Sequence, residues 1–171
     1  VSGYNEYGEG EMKIFWKTKN NTLIVSPDSD VTLLGLLLKN SYNNIKILRY
    51  NIQKEKYDVI DIDAFHTNLL TYCKSNENSI VDDLVILFTF FGNDFVPKVN
   101  SIDVRTGFES LIDIYLSSRK FGNLIQNKSL NMKCFIEILR QLKKKEKINL
   151  QKKYISNNYK NYNYLKNNLK L

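Results

Sequence analysis

The sequence predicts a mixed α/β fold, with a parallel sheet in its core and helices that become more frequent toward the C-terminus. Three short apolar runs rich in β-branched residues have the length and composition of strands: "NTLIVSP", "NIKILRYN" and "KYDVIDI". Stretches with helical periodicity lie between these runs and dominate the second half of the chain. A chain of 171 residues is long enough to bury a hydrophobic core.

The first two predicted helices each begin beside a pair of acids. "EMKIFWKT" is a predicted short helix that follows Glu9 and opens with Glu11. "NTLIVSP" is predicted to be a buried parallel strand, and "DSDVTLLGLLLKN" is the next helix. Asp28 and Asp30 therefore lie at the carboxyl end of a strand, where open α/β sheets bind ligands. The alternative is structural, with Asp30 as a helix N-cap and both glutamates favouring a helix dipole.

The rest of the chain is predicted to be mostly helical. "DAFHTNLLTYC" is a predicted helix, and "NENSIVDD" is predicted to be a polar loop that leads into a helix start. "LVILFTFFG" is apolar on all sides, which predicts a fully buried helix or strand. A further helix is expected from about Gly107, and a last amphipathic helix over "NMKCFIEILRQLKKKEK".

The charge balance indicates a polyanionic partner. The chain has 25 Lys and Arg against 18 Asp and Glu, and the excess is concentrated after Lys143. The sequence contains no apolar run of about 18 residues, so no membrane span is predicted. The N-terminal residues lack the features of a signal peptide. Cys73 and Cys134 are predicted to be reduced core thiols. We therefore expect an intracellular protein, cytoplasmic or nuclear, that binds nucleic acid and no membrane.

Five acids carry the predicted chemistry. Glu9 and Glu11, and then Asp28 and Asp30, are pairs separated by one residue, and Asp94 follows a wholly apolar segment. Like charges that gather repel one another unless something compensates them, and Mg²⁺ or Mn²⁺ prefers carboxylate oxygens. Two such ions about 3.5–4 Å apart stabilise the attacking and leaving oxygens of a phosphoryl displacement. We expect these acids to converge on one cleft, with Glu9 at its margin.

Other reaction classes fit the sequence poorly. The single histidine, His66, lies inside a predicted helix without a nucleophile pattern beside it, so a structural or solvent-facing role is expected. The sequence has neither a P-loop nor a G-x-S-x-G motif. A glycosidase would use two acids but would not need the basic excess.

Four stretches resemble, in order, the N-terminal nuclease domain of the Xrn-type 5′→3′ exoribonucleases. They are "GEGEMKI", "SPDSDVTLLGLLL", "DDLVILFTFFGNDFVPKVNSIDVRTG" and "FGNLIQNKSLNMKCFIEIL", and "FFGNDFVP" is the most specific part. The resemblance runs from about Gly3 to about Leu150. It implies that residues 1–150 are the C-terminal portion of a nuclease domain whose parallel-sheet core is like that of PIN and flap-endonuclease proteins. Residues 151–171 would then be a basic Asn/Tyr/Lys-rich tail, either disordered or an added arm.

The resemblance also implies the cofactor and the partners. In that family the matching acids bind two magnesium ions, which implies a metal-binding, catalytic role for Glu9, Glu11, Asp28, Asp30 and Asp94. The substrate implied is single-stranded RNA. Further family acids and a basic 5′-phosphate pocket belong to a segment upstream of the first motif, so we expect this chain to be a fragment that needs that segment. Candidate phosphate contacts are Lys13 and Arg105, for which solvated surface charge is the alternative.

Some positions depart from the family pattern, and two other functions stay open. Met12 stands where the family usually has His, and Lys98 and Asn100 replace a usual His and Pro, which affects substrate positioning more than metal binding. A DNA flap endonuclease is one alternative, although "NSIDVRTGFESLI" lacks the paired glycines of its duplex-binding motif. The other is a non-catalytic remnant that binds nucleic acid or protein.

Overall fold

The computed structural model describes residues 8–94, 96–99, 102 and 107–148. The chain forms two compact units, Val1–Thr89 and Phe90–Leu171. The predicted tail, residues 151–171, and the candidate phosphate contact Arg105 lie outside the described residues. Within the described ranges, no helix has both the length and the apolar character needed to cross a membrane.

The helices and strands of the first unit follow one another in the predicted order. All three predicted strands form, and the helices expected from "EMKIFWKT", "DSDVTLLGLLLKN" and "DAFHTNLLTYC" are confirmed. The apolar run "LVILFTFFG" is helical for most of its length. The elements are α1 (Gly10–Lys17), β1 (Thr22–Val25), α2 (Asp30–Leu38), β2 (Ile45–Asn51), β3 (Lys56–Asp61), α3 (Ile62–Tyr72) and α4 (Asn78–Phe88).

The three strands form a mixed sheet in the order β1-β2-β3. β1 and β2 are parallel, with Ile24 opposite Ile47, whereas β2 and β3 are antiparallel, with Leu48 opposite Val59. The predicted parallel pairing is therefore confirmed for β1 and β2 and wrong for β2 and β3. The reason is the short connection: only residues 52–55 separate β2 from β3, and parallel neighbours need a crossover of about a dozen residues or more.

The core of the first unit lies on one face of this sheet. Helices α2 and α3 contact β2 there, and Ile45, Ile47 and Ile62 are fully buried. Gly35 allows this close packing, because a Cβ at that position would come within 2.9 Å of Ile62 Cδ1. Burial of these branched side chains is the main stabilising contribution to the unit.

The opposite face of the sheet, the outer face, is largely open to solvent. It carries six apolar side chains: Leu23, Val25, Leu48, Tyr50, Tyr57 and Val59. The prediction that "NTLIVSP" forms a buried strand is thus confirmed for the strand and wrong for its burial. Ile24 is buried in the core, whereas Leu23 and Val25 are exposed. Strand side chains alternate between faces, so a run of apolar residues does not by itself show which faces are covered.

In the described part of the second unit, a small hairpin lies between two α-helices. The helix expected from about Gly107 is α5 (Phe108–Ser118), and the last amphipathic helix, α6, covers residues 132–148. Between them β4 (Ile125–Gln126) and β5 (Ser129–Leu130) form an antiparallel hairpin that the sequence did not predict. Asn127 and Lys128 both have positive φ there, as a tight two-residue hairpin turn requires.

Asn131 joins this hairpin to α6. Its side-chain Nδ2 donates to the carbonyl oxygens of Phe121 (2.8 Å) and Asn123 (3.0 Å). Its Oδ1 accepts the backbone N–H groups of Lys133 (3.2 Å) and Cys134 (3.3 Å), which occupy the first turn of α6. One amide side chain thereby caps a helix and closes the preceding loop.

Candidate metal centre

The first acid pair begins α1. Glu9 is the N-cap residue, with an extended backbone and an exposed side chain, and Glu11 is half-buried in the first helical turn. Glu9 makes no side-chain capping hydrogen bond, so its carboxylate is not used to close the helix. Gly8 precedes it with φ +105°, a conformation that places a sharp bend immediately before the helix.

The second acid pair lies in a structured turn between β1 and α2. The hydroxyl of Ser26 accepts the N–H of Asp28 (3.2 Å), and Oδ1 of Asp28 accepts the N–H of Asp30 (2.9 Å). Both aspartates are half-buried. Ser29 is the N-cap and Asp30 is the first helical residue, so the capping alternative for Asp30 is wrong. The turn orients the carboxylate of Asp28 at the carboxyl end of a parallel strand, as predicted.

The two acid pairs belong to neighbouring elements of the first unit. α1 and α2, which begin with these pairs, contact each other. Their donor atoms are carboxylate oxygens, the ligands that suit Mg²⁺ and Mn²⁺. Among the residues that the structure describes, no three or more His, Cys, Asp or Glu side chains are grouped as a metal site. Metal binding by Glu9, Glu11, Asp28 and Asp30 therefore stays a prediction.

Asp94 lies in a compact loop of the second unit. Asn93 donates its N–H to the carbonyl oxygen of Val96 (3.0 Å), and Oδ1 of Asn93 accepts the N–H of Val96 (2.8 Å). Gly92 precedes this turn with φ +88°, and a Cβ there would be 2.9 Å from the backbone nitrogen of Lys98. The loop thus presents the exposed Asp94 side chain from a turn that two hydrogen bonds hold. Its convergence with the other four acids remains a prediction.

Lys13 and His66 have different surroundings. The half-buried Lys13 side chain passes beside Gly8, where its Cε would be 3.9 Å from an added Cβ, and so lies near the start of α1. His66 is buried in α3, and its Nε2 has no hydrogen-bond partner among the residues that the structure describes. Burial lowers the pKa of His66, and the positive charge of Lys39 lowers it further, against the opposing effect of Asp82 and Asp63. A structural role for His66 fits this burial better than a solvent-facing one.

Asp83, in α4, is a buried acid that was not among the predicted site residues. "NENSIVDD" was predicted to be a polar loop that leads into a helix start; the helix, α4, begins at Asn78 and includes Asp83, which is 1% exposed. Its side chain is engaged in an interaction within the protein, which fits a structural role. The available signal was the apolar spacing of Ile80, Leu84 and Leu87, which continues a helix across the acidic pair.

Cys73 and Cys134 are both buried, as predicted for core thiols. Each belongs to a different unit, at the end of α3 and in the first turn of α6. Neither cysteine lies in a group of potential metal ligands among the described residues.

Two comparisons with known proteins bear on this arrangement. Residues 74–170 match a family model described as "Xrn1 helical domain". A protein of Acanthamoeba polyphaga mimivirus, named "Putative 5'-3' exonuclease", is 38% identical over 140 residues. That match covers 69% of this chain and 22% of the mimivirus protein, so the chain spans about a fifth of the length of this relative.

Proposed function

Because the chain belongs to the family of the Xrn1 helical domain, as its motifs predicted, we propose that it is a segment of a 5′→3′ exoribonuclease that hydrolyses RNA phosphodiester bonds. The observation that supports this most directly is the turn in which Asp28 and Asp30 follow a parallel strand. The chain matches 22% of a longer relative, so the activity and its single-stranded RNA substrate are proposed for a polypeptide that contains these residues with the rest of such a nuclease.

We propose that Glu9, Glu11, Asp28, Asp30 and Asp94 hold two Mg²⁺ or Mn²⁺ ions. When bound, such ions stabilise developing negative charge on the oxygens of the reacting phosphate. The contribution of the protein is positioning. Oδ1 of Asp28 is occupied by the N–H of Asp30 at 2.9 Å, which leaves Oδ2 as the proposed ligand atom and restricts rotation of the carboxylate. A carboxylate already held in one orientation loses little conformational freedom on binding a cation.

The substrate is proposed to bind through basic side chains. Lys13 lies near the start of α1, with its side chain beside Gly8, and is proposed to contact a phosphate next to the reacting group. Arg105 and the basic residues 151–171 are proposed to contribute to the same binding, since the net charge of +7 attracts a polyanion. A core like that of PIN and flap-endonuclease proteins, completed by a segment upstream of this chain, and an intracellular location belong to the same proposal.

The decisive experiment measures hydrolysis of a single-stranded RNA with a 5′-monophosphate, in Mg²⁺ and in EDTA. The protein is the product of the complete open reading frame that contains these residues, compared with the 171-residue chain. Asp28→Asn should reduce kcat by orders of magnitude without lowering the melting temperature, because it removes a charge and preserves the shape. Glu55→Gln, at the tip of the β2–β3 hairpin, removes the same charge far from the acids in sequence and should leave kcat unchanged.

The outcomes separate the candidate functions. Wild-type turnover by Asp28→Asn, or undiminished hydrolysis in EDTA, would refute the proposed mechanism. Cleavage of DNA of the same sequence in preference to RNA would favour the flap-endonuclease alternative. RNA binding without hydrolysis by the complete product would favour the non-catalytic alternative, which the basic charge also supports.

A further inference from the structure

The first unit contains a single arginine, Arg49, and it lies at the sheet edge that carries the aspartates. β1 and β2 are parallel, so their carboxyl ends point to the same edge. The N–H of Ser26, which directly follows β1, donates to the carbonyl oxygen of Leu48 at 3.1 Å, and Arg49 is the next residue of β2. Ser26 also begins the turn of Asp28 and Asp30, because its hydroxyl accepts the N–H of Asp28. The arginine and the acidic turn are therefore neighbours across two strands.

Arg49 also belongs to the face of the sheet on which α2 packs. Side chains alternate along a strand, and Ile45 and Ile47 are buried on that face, so Arg49 shares it. Helix α2 contacts β2 there, and its first residue is Asp30. Unlike the two isoleucines before it, Arg49 is exposed. The basic side chain thus lies at the open rim of this face, at the end where α2 begins.

The guanidinium group of Arg49 is not committed to another side chain. Its register partner across the hairpin is Asp58, but the carboxylate of Asp58 accepts Nδ2 of Asn51 at 2.8 Å. That hydrogen bond is the main cause of the lowered pKa of Asp58, against the opposing effect of burial, and Arg49 lowers it least of the nearby cations. Within the described ranges, Arg49 forms no ion pair. Its N–H donors are available to a ligand.

The space beside Arg49 suits part of a nucleotide chain. A groove of about 490 Å³ lies at this end of the β2–β3 hairpin, and Arg49 and Gln53 are among the residues that line it. Small ligands occupy pockets of about 300–1,000 Å³. Lys54 and Lys56 add positive charge at the same end of the hairpin. A planar guanidinium matches a phosphate group, which it binds through paired, charge-assisted hydrogen bonds.

We propose that Arg49 binds an internal phosphate of the RNA strand and positions that strand at the acidic turn. Because this role rests on the proposed function, it names a further substrate contact of the same site. An internal phosphate is the expected ligand, since the pocket for a 5′-terminal phosphate is expected in the upstream segment. Arg49 is a positioning residue whose contact is the same before and during the reaction. Its loss should therefore raise KM and leave kcat nearly unchanged.

The test uses the product of the complete open reading frame and single-stranded RNA, with hydrolysis measured in Mg²⁺ and binding in EDTA. Arg49→Gln should raise KM about tenfold and change kcat less than about twofold, because one charge-assisted contact is lost. In EDTA, the slope of log K against log salt should become shallower by about 0.7, which corresponds to one phosphate on a single strand. Arg49→Lys keeps the charge but not the planar fork, so it should restore the salt slope and only part of the KM.

Two control variants separate substrate binding from other effects of charge. Lys46→Gln removes the same charge from the other end and the opposite face of β2, and it should change neither KM nor the salt slope. Asp58→Asn tests the register partner. If Arg49 only stabilised the hairpin through Asp58, this variant would reproduce the kinetics of Arg49→Gln. For a phosphate contact, Asp58→Asn should keep KM within about twofold of the wild type.

Each outcome decides the role of Arg49. A wild-type KM and salt slope in Arg49→Gln would overturn it and leave the proposed function intact. If the wild-type product binds RNA but does not hydrolyse it, the proposed function fails, and the salt slope in EDTA still decides. Affinity lost only for RNA with a 5′-monophosphate, and not for RNA with a 5′-hydroxyl, would identify the terminal phosphate as the ligand and also refute the inference. If Arg49→Gln lowers the melting temperature, a wild-type KM in a stably folded Arg49→Lys variant would count against the contact. Absence of RNA binding by the wild type would overturn both proposals.

Discussion

Asp63 connects three elements of the first unit, and its removal tests how this unit is held together. Its Oδ1 pairs with Nζ of Lys39 at 2.6 Å, just past the end of α2. Its Oδ2 accepts the backbone N–H of Asn44 at 2.8 Å and of Ile45 at 3.3 Å, where β2 begins. Because Asp63 lies in the first turn of α3, one carboxylate joins α2, β2 and α3.

The structure sets the size of the effect. Ile45 is completely buried, and leaving a buried donor without a partner costs about 1–3 kcal/mol. The ion pair with Lys39 adds at most about 1 kcal/mol, because the Asp63 side chain is 34% exposed and solvent screens the charges. We therefore expect Asp63→Ala to lower the free energy of unfolding by about 2–3 kcal/mol. Asp63→Asn keeps an acceptor for the backbone and should cost about 1 kcal/mol.

The assay is urea unfolding of the 171-residue chain at neutral pH, followed by far-ultraviolet circular dichroism. Glu55→Gln is the control, since it removes a carboxylate from an exposed hairpin tip. A free energy of unfolding for Asp63→Ala within about 0.5 kcal/mol of the wild type, the range of ordinary surface substitutions, would refute this role of Asp63. Equal destabilisation by Asp63→Asn and Asp63→Ala would also refute it, because the backbone hydrogen bonds would then contribute nothing.

Four further predictions follow from local geometry. Burial raises the pKa of Asp63, but hydrogen bonds and the charge of Lys39 outweigh it and hold that pKa below its ordinary value; the stability advantage over Asp63→Asn should therefore be full above about pH 4 and shrink as pH falls further, in urea titrations. The pKa of His66 is lowered mainly by burial, so wild-type stability should fall as pH drops below about 6.5, and His66→Leu should flatten that dependence. Gly92→Ala should destabilise the loop of Asp94 by about 1–3 kcal/mol, because φ is +88° and the new Cβ would meet Lys98, and circular dichroism melting should detect it. Asn131→Ala should cost about 1–2 kcal/mol through loss of the α6 cap, whereas Asn131→Asp should retain part of the capping, so equal melting temperatures for the two variants would contradict this.

Local features of the fold could be predicted from the sequence because they depend on neighbouring residues. The helices α1, α2, α3, α5 and α6 follow periodic apolar spacing, and β1, β2 and β3 follow β-branched runs. The position of Asp28 and Asp30 at a strand end was predicted for the same reason, since Pro27 and the polar "DSD" text interrupt two regular elements. Family membership was also predictable, because the ordered motifs occur in the sequence itself.

Pairing and coverage could not be predicted in the same way. The direction of β3 depended on the four-residue connection after β2, and the β4–β5 hairpin depended on two non-glycine residues that adopt positive φ. The alternative role of Asp30 was to cap α2, but the N-cap residue is Ser29, and the N–H of Asp30 donates to Oδ1 of Asp28. These details arise from hydrogen bonds whose partners a sequence pattern does not specify.

The sequence alone determined where most elements begin and end, which family the chain belongs to, and which acids are candidates for metal binding. Only the tertiary structure decided that Asp83 is a buried helical residue, that His66 lies in the interior, and that the outer face is open. The physical reason is that the apolar residues of a segment set how much apolar surface it could bury. How much of that surface is actually buried depends on the elements that pack against the segment. Val25 and Ile24 are neighbours of similar hydrophobicity, yet one is exposed and the other belongs to the core.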